Sequence, residues 1–238
     1  MNKTTLIIIL LTTAGLSGCD SEDISTPTPL PIKSVRAQTI NLVDYGKNQP
    51  SDVQIKAYSQ GSEQIIYSGL FEYGSSASTL LITQQKSPSI PYTFKLFDSN
   101  SQLQLTQTKK TLKSGQHELV FAFGDVSNNQ YEISIQDRPS LPKLTNNRVP
   151  IYVMDAGLIK GERHSEVTYA DQHIKDLPNK TFSSMLTAPE YQESLEMTFT
   201  RDGQAETCHF STQDKPELVV LSPYGNCFSV DFLETLGG

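Results

Sequence analysis

The sequence contains no Gly-x-Ser-x-Gly nucleophile elbow, no His-Glu-x-x-His pair and no glycine-rich phosphate loop. These absences argue against the serine hydrolases, helix-borne zinc sites and nucleotide-binding proteins that carry such motifs. Tryptophan is also missing, and after residue 18 no apolar stretch approaches the roughly 20 residues of a transmembrane helix. The sequence therefore indicates no cofactor.

An excess of positive charge is lacking as well, because 19 Lys and Arg stand against 26 Asp and Glu, giving a formal net charge of -7. Nucleic acids and anionic lipid headgroups are bound by basic surfaces. The acidic balance therefore predicts that the protein has no nucleic-acid partner.

The first 18 residues have the pattern of a signal peptide. Lys3 precedes an apolar segment over residues 6–18, which is too short to cross a bilayer but suits a secretory leader. Residues 19–33 are polar and rich in Pro, Ser and Thr, which predicts a flexible, extended tether.

The end of the leader, Leu16-Ser17-Gly18-Cys19, resembles the lipobox of bacterial lipoproteins. The resemblance implies that Cys19 is lipidated, becomes the mature N-terminus and anchors the protein in the bacterial cell envelope, facing the periplasm. Several acyl chains would hold it firmly, since stable anchoring takes two or more. Asp20 resembles the signal that retains lipoproteins in the inner membrane, with the outer membrane as the alternative. An ordinary signal peptide with a coincidental cysteine is the other interpretation.

From residue 34 onward, short alternating or apolar runs are separated by Gly, Asn, Pro and Ser, and no segment shows a helical stripe. Roughly seven to nine short strands within about 100 residues are typical of an antiparallel β-sandwich. We therefore predict an all-β protein. Strands are expected at 35–42, 53–58, 64–67, 78–83, 92–97, 102–106, 118–123 and 131–135.

Three segments recur later in the chain in the same order, which indicates a tandem duplication. Residues 116–125 are echoed by 215–221, residues 92–98 by 195–203, and residues 53–58 by 150–155. Pro139 and Pro142 mark a linker over residues 139–147. The sequence thus predicts two tandem β-sandwich domains, 34–138 and 148–238.

The first of these regions resembles the uncharacterised immunoglobulin-like repeats of bacterial lipoproteins and envelope proteins. The resemblance rests on a strand beginning near Val53, the turn Tyr73-Gly74-Ser75, and the segment 111–115 leading into Glu118-Leu119-Val120. The second region departs from this pattern at Tyr169-Ala170-Asp171 and at Pro216. The family lends no catalytic residues, and it implies immunoglobulin-like sandwiches used for interaction.

The cysteines other than Cys19 are Cys208 and Cys227, and an exported protein would keep them where disulfides persist. A bridge between them would close a loop of about 20 residues and stabilise the second domain by roughly 3 kcal/mol on the chain-entropy model. A metal site that includes His209 is the alternative. Adjacent strand residues point to opposite faces, however, so His209 would face away from Cys208.

The richest polar segment spans residues 155–176. Carboxylates and imidazoles can bind a metal or transfer protons, so a metal-dependent envelope hydrolase centred here is the alternative function. No spacing in the segment fixes two ligands on one face, and we predict no metal ligand in it. The candidate polar cluster comprises Asp155, Glu162, His164, Asp171 and His173.

Four tyrosines of the first region, Tyr45, Tyr58, Tyr67 and Tyr73, allow two interpretations. They could form an aromatic strip for sugars or peptides, because tyrosine combines contact area with a polar tip. Tyrosines also pack on sandwich strands, which is the interpretation that we favour.

The sequence as a whole predicts a non-catalytic, membrane-anchored binding or scaffold module. Its expected partners are the membrane, reached through the N-terminal lipid, and an unidentified envelope protein or cell-wall polymer. A chaperone-like protein that donates or accepts a strand is the third hypothesis.

Replacing Cys19 by Ala should abolish the incorporation of radiolabelled palmitate in cells, because the lipobox presents this thiol for acylation. The double variant Cys208→Ala/Cys227→Ala serves as the control and should remain labelled. Label on the Cys19→Ala variant, or none on the natural sequence, would contradict the lipoprotein interpretation.

Overall fold

All regular elements in the described part of the chain are β-strands. The computed structural model describes residues 31–44, 52–59, 62–64, 69–70, 73–84, 86–157 and 163–232. In these ranges no helix is long and apolar enough to cross a membrane. The all-β prediction is confirmed. The signal peptide, Cys19, Asp20, the tether as far as residue 30, and Glu162 lie outside the described residues.

The described residues contain seventeen strands. They are β1 (Ile32–Asp44), β2 (Val53–Ser59), β3 (Ser62–Gln64), β4 (Gly69–Leu70), β5 (Ser76–Gln84), β6 (Ser89–Asp98), β7 (Gln104–Lys113), β8 (His117–Asp125), β9 (Gln130–Asp137), β10 (Arg148–Asp155), β11 (His164–Tyr169), β12 (Gln172–Pro178), β13 (Leu186–Pro189), β14 (Gln192–Arg201), β15 (Gln204–Thr212), β16 (Glu217–Leu221) and β17 (Cys227–Asp231).

The strands form two sandwiches with the same strand order. In the first sandwich, sheet β5-β1-β8-β9 packs on sheet β3-β2-β6-β7, and β4 pairs with β2. In the second sandwich, sheet β13-β10-β16-β17 packs on sheet β12-β11-β14-β15. Each sandwich contains one parallel pair, β1 with β8 and β10 with β16, and the other described pairs are antiparallel.

The sequence echoes can now be placed on the strands. Residues 116–125 and 215–221 cover β8 and β16, and residues 92–98 and 195–203 cover β6 and β14, which hold equivalent places in the two sandwiches. The third echo joins β2 to β10, although β10 holds the place of β1. Residues 138–147, between β9 and β10, contain no strand.

The two sandwiches share a third core, so that the four sheets stack as four layers. Strand alternation gives the sheets β5-β1-β8-β9 and β13-β10-β16-β17 an apolar side chain on each face. One face packs within its own sandwich, and the other packs against the neighbouring sandwich. The largest fully buried side chains in this shared core are Ile40, Phe121, Phe123 and Phe232.

A glycine turn helps the sandwiches to approach each other. Gly74 has a φ of +88°, and a Cβ at this position would lie 2.8 Å from the ring of Phe228 in β17. The neighbouring Tyr73 ring packs edge-on against Phe228, with ring centroids 5.5 Å apart. Any larger residue at position 74 would be strained by the positive φ and would displace the Phe228 ring.

The seam between the two sheets is closed differently in each sandwich. In the second sandwich the predicted disulfide is present and joins Cys208 of β15 to Cys227 of β17, with Cα atoms 5.6 Å apart. In the first, Lys110 of β7 bonds across to the adjoining sheet. Its Nζ lies 3.2 Å from Glu118 Oε2 and donates to the Ile135 carbonyl at 2.9 Å. A covalent bond and a buried ion pair thus hold equivalent positions.

Glu118 and Glu217 occupy matching positions in β8 and β16, and both are almost completely buried. Each pairs in register with an aspartate of the next strand, Asp137 or Asp231. Burial is the main cause that raises the pKa of both glutamates, and the neighbouring aspartate adds to the rise. The folded protein therefore holds protons on these groups at a higher pH than the unfolded chain does.

The substitution Glu217→Gln should change how stability depends on pH. Because burial raises the pKa of Glu217, its contribution is greatest below pH 4.5 and is lost as the pH rises through its folded value. The free energy of unfolding of the variant should therefore improve, relative to the natural protein, between about pH 4 and pH 7. Urea denaturation at both pH values measures this difference. The exposed Glu193→Gln is the control and should show no such trend, and a flat difference for Glu217→Gln would contradict the assignment.

Candidate binding face

Asp155, the first residue of the predicted polar cluster, is fully buried in an ion pair with Arg201. The guanidinium donates to both carboxylate oxygens, from Nη2 at 2.8 Å and from Nε at 3.0 Å. The Ser165 hydroxyl and the Gly157 backbone N–H also donate to this carboxylate. These bonds occupy both of its oxygens, so Asp155 ties β10 to β11 and β14 and does not face a cavity.

The remaining members of the cluster lie elsewhere. His164 and His173 are exposed, as is Asp171 in the turn between β11 and β12. His164 contacts Asp176 on the neighbouring strand. The described members of the segment therefore do not form one site, because strand alternation turns Asp155 and Ser165 inward and the histidines outward. In the described ranges, no group of three or more His, Cys, Asp or Glu residues is arranged to hold a metal ion.

Formal charge is divided unevenly between the sandwiches. Residues 31–147 contain 11 Lys and Arg against 9 Asp and Glu, whereas residues 148–238 contain 7 against 14. The acidic total therefore belongs to the second half of the chain. The first half carries a small positive excess, and the position of its lysines decides where an anion would bind.

The outer sheet of the second sandwich presents a flat polar surface. Thr168, Thr198 and Thr207 lie opposite one another on β11, β14 and β15, and His173 continues the row on β12. Glu196 lies opposite His209 in another row. The hydroxyl and carboxylate groups of this surface do not favour anionic ligands.

The outer sheet of the first sandwich presents a different surface, which we call the lysine–aromatic face. It consists of the outward positions of β2, β6 and β7, where strand alternation turns the side chains away from the core. Its charged and aromatic members are Lys56, Tyr58, Lys95, Phe97, Lys109 and Lys113.

Cation–π contacts hold two of these lysines in place. The Nζ of Lys56 lies 4.6 Å from the ring centroid of Phe97, and the Nζ of Lys95 lies 5.1 Å from that of Tyr58. Such contacts contribute about 0.5–1 kcal/mol each at exposed sites. The two ammonium groups are therefore positioned above the sheet instead of extending freely into solvent.

An open groove of about 470 Å³ lies on the same sheet. Its lining includes Tyr58, Pro91, Thr93, Lys109 and Thr111, and it begins one row from the Lys56–Lys95 pair. The volume falls within the roughly 300–1,000 Å³ of small-molecule sites. The groove offers hydroxyl groups, an ammonium group and apolar ring edges together, which suits a polar ligand with anionic substituents.

A smaller cleft of about 130 Å³ lies between the sandwiches. It is lined by Asp44, Tyr73, Asp125 and Tyr224, and the Tyr224 hydroxyl donates to the Asp44 carboxylate. Burial, followed by the charge of Asp44, raises the pKa of Tyr73. The cleft is below the usual size of ligand sites. We therefore interpret these groups as contacts that join the sandwiches.

The four tyrosines considered in the sequence do not share one surface. Tyr58 belongs to the lysine–aromatic face, whereas Tyr73 packs between the sandwiches, and Tyr45 and Tyr67 lie outside the described residues. The lysines were missed, because their common surface depends on strand pairing between β2, β6 and β7. The signal in the sequence was the strand alternation over 54–58 and 91–97, which puts Lys56 and Lys95 at outward positions.

Comparisons with known proteins give only distant likenesses. No family model matches the chain, and no curated protein matches it. A carbohydrate-binding module of family 26 from Eubacterium rectale, crystallised with maltoheptaose, is similar in structure with a TM-score of 0.24 and 11% identity, covering 84% of this chain and 98% of that one. A protein from Bacteroides ovatus, provisionally described as a cell adhesion protein, is similar with a TM-score of 0.21 and 10% identity, covering 86% of this chain and 99% of that one. Scores this low carry no argument about function.

The buried ion pair should be structural, and this can be tested by substitution. Arg201→Met leaves the Asp155 carboxylate buried without a counter-charge, so the free energy of unfolding should fall by about 3–5 kcal/mol. Adding Asp155→Leu should restore much of the loss, since an apolar pair of similar volume is tolerated. Arg163→Met is the matched control, because Arg163 pairs with the exposed Asp202 and should cost at most about 1 kcal/mol. Urea denaturation measures all three, and a similar loss for both single variants would contradict this role.

Proposed function

We propose that this protein is a lipid-anchored protein of the bacterial cell envelope, whose joined sandwiches form a non-catalytic module that binds a cell-wall polymer on the lysine–aromatic face. The anchor would be the lipid on Cys19, facing the periplasm, followed by the tether that leads into β1. Inner-membrane retention through Asp20 is part of the proposal. The sandwiches would be immunoglobulin-like repeats of the envelope type that the sequence resembles.

The observation that carries the proposal is the lysine–aromatic face with its groove. A polymer is favoured over a protein partner, because the cores of protein interfaces are depleted in lysine, whereas lysines lie at the centre of this face. Tyr58 and the threonine hydroxyls provide the stacking edge and hydrogen bonds that a sugar requires.

The polar segment 155–176, which is the sequence's candidate for catalytic chemistry, supports a non-catalytic role. Asp155 is committed to Arg201 and Ser165, and the exposed histidines of that segment lie on another surface. General acid–base catalysis requires groups within hydrogen-bonding reach of one substrate. The members of the polar cluster that the structure describes, Asp155, His164, Asp171 and His173, do not meet this requirement together.

Cosedimentation with purified cell-wall sacculi tests the proposed function, with the full chain kept in detergent. The variant Tyr58→Ala/Lys109→Ala should reduce the bound fraction at least about fivefold, because it removes one aromatic and one cationic contact from the groove. The matched control is Tyr191→Ala/Lys175→Ala, which removes the same residue types from exposed positions in the second sandwich. Equal losses for the two variants, or no sedimentation of the natural protein, would overturn the proposal.

A further inference from the structure

We propose that Lys56 and Lys95 form a site for the phosphate groups of an anionic wall glycan, and that Lys109 and Lys113 extend this site along the sheet. The inference rests on the proposed function, because both use the lysine–aromatic face. It adds the chemical class of the ligand and the residues that bind its phosphate groups.

The first step is the position of Lys56 directly opposite Lys95 in the antiparallel pair of β2 and β6. Directly opposed residues have Cβ atoms about 5 Å apart, and like charges in this arrangement destabilise a sheet. The ammonium groups lie over the rings of Phe97 and Tyr58, in the rows on either side of this pair. Successive phosphates of one chain could therefore approach the two ammonium groups separately and reduce the repulsion between them.

The second step is that no ion pair with a described residue neutralises these lysines. The outward positions of the described strands β2, β6 and β7 contain no Asp or Glu. None of the four lysines of the face forms an ion pair with a described residue, whereas Lys110 and Lys180 both do.

The third step concerns geometry before binding. The Phe97 and Tyr58 rings lie under the ammonium groups of Lys56 and Lys95 and restrict where these groups can go. Restricting a long side chain in advance lowers the entropic cost of binding.

The fourth step is the arrangement of the remaining cations. Lys109 pairs with Thr93, one row beyond Lys95, and Lys113 follows four residues later on β7. Strand geometry puts the Cα of Lys109 roughly 8 Å from that of Lys95 and about 13 Å from that of Lys113. Cations spaced along a groove suit a chain with repeated phosphates better than a single anion.

The groove also favours a glycan over a membrane surface as the ligand. Tyr58, Thr93 and Thr111 lie between the lysines and provide contacts for sugar rings linked to the phosphates. A flat lipid surface would meet the tips of the lysines but would not fill a concave space of about 470 Å³. We therefore assign the phosphate groups to a glycan chain.

The test uses phosphorylated dextran as the probe and uncharged dextran of the same length for comparison, with the full chain in detergent and calorimetry as the readout. Lys56→Gln/Lys95→Gln should weaken binding of phosphorylated dextran at least about tenfold. The matched control, Lys143→Gln/Lys175→Gln, makes the same change in net charge at exposed positions and should stay within about twofold. Circular dichroism confirms that each variant is folded.

Salt provides a second readout. Raising the NaCl concentration from about 50 mM to about 300 mM should strongly weaken the binding of phosphorylated dextran by the natural protein. Binding by the Lys56→Gln/Lys95→Gln variant should weaken less, because fewer charges remain to be screened. Equal binding of the two dextrans, or equal effects of the two double variants, would overturn the inference. Tighter binding to phosphatidylglycerol vesicles than to phosphorylated dextran, lost in the Lys56→Gln/Lys95→Gln variant, would also overturn it and identify a membrane-contact surface.

The two proposals can fail separately. If sacculi still sediment the natural protein but not Tyr58→Ala/Lys109→Ala, while phosphorylated dextran is not bound, then the phosphate assignment is wrong and the wall-binding function stands. If phosphorylated dextran binds through Lys56 and Lys95 but sacculi do not sediment the protein, then the phosphate site is supported and the wall-binding function is wrong.

Discussion

The apolar contact between the two inner sheets is the constraint on which the rest of the structure depends. Phe121 and Phe123 of the first sandwich and Tyr152 and Phe232 of the second belong to one apolar core. Neither inner sheet has a free face as a result. Broad sheet surfaces for a ligand therefore remain on the two outer sheets alone, which explains why the residues that differ most in chemistry between the sandwiches are found there.

The equivalent seams of the sandwiches show how one architecture accepts different chemistry. In the second, a disulfide joins β15 to β17, whereas in the first Lys110 joins β7 to Glu118 and the end of β9. The disulfide constrains the unfolded chain, while the lysine compensates a buried carboxylate that would otherwise be costly. Without a lysine in the equivalent place, Glu217 depends on the Gln213 backbone N–H for one oxygen.

Sequence alternation was sufficient to predict the strands but not how they assemble. Alternating residues identified β2 and β6, and the pair of cysteines gave the disulfide. The expected strand at 102–106 is instead β7, which continues to Lys113, because an edge strand with polar residues on both faces shows no alternation. The uninterrupted apolar runs of β8 and β16 are typical of strands buried on both faces, which indicates an inner sheet. The partner of those faces could not be predicted, because it is the other sandwich.

The opposition of Lys56 and Lys95 shows the same limit at the candidate site. The two residues are far apart in the chain, and only the register of β2 against β6 brings them together. A slip of one residue would turn one lysine towards the core, so the buried faces of these strands fix the charge pattern of the exposed ones. The equivalent surface of the second sandwich carries threonine, glutamate and histidine in a half of the chain with twice as many acidic as basic residues. That half would repel an anionic polymer, so each molecule would hold such a polymer on one surface only, and the shared core would keep the repelling surface on the opposite side.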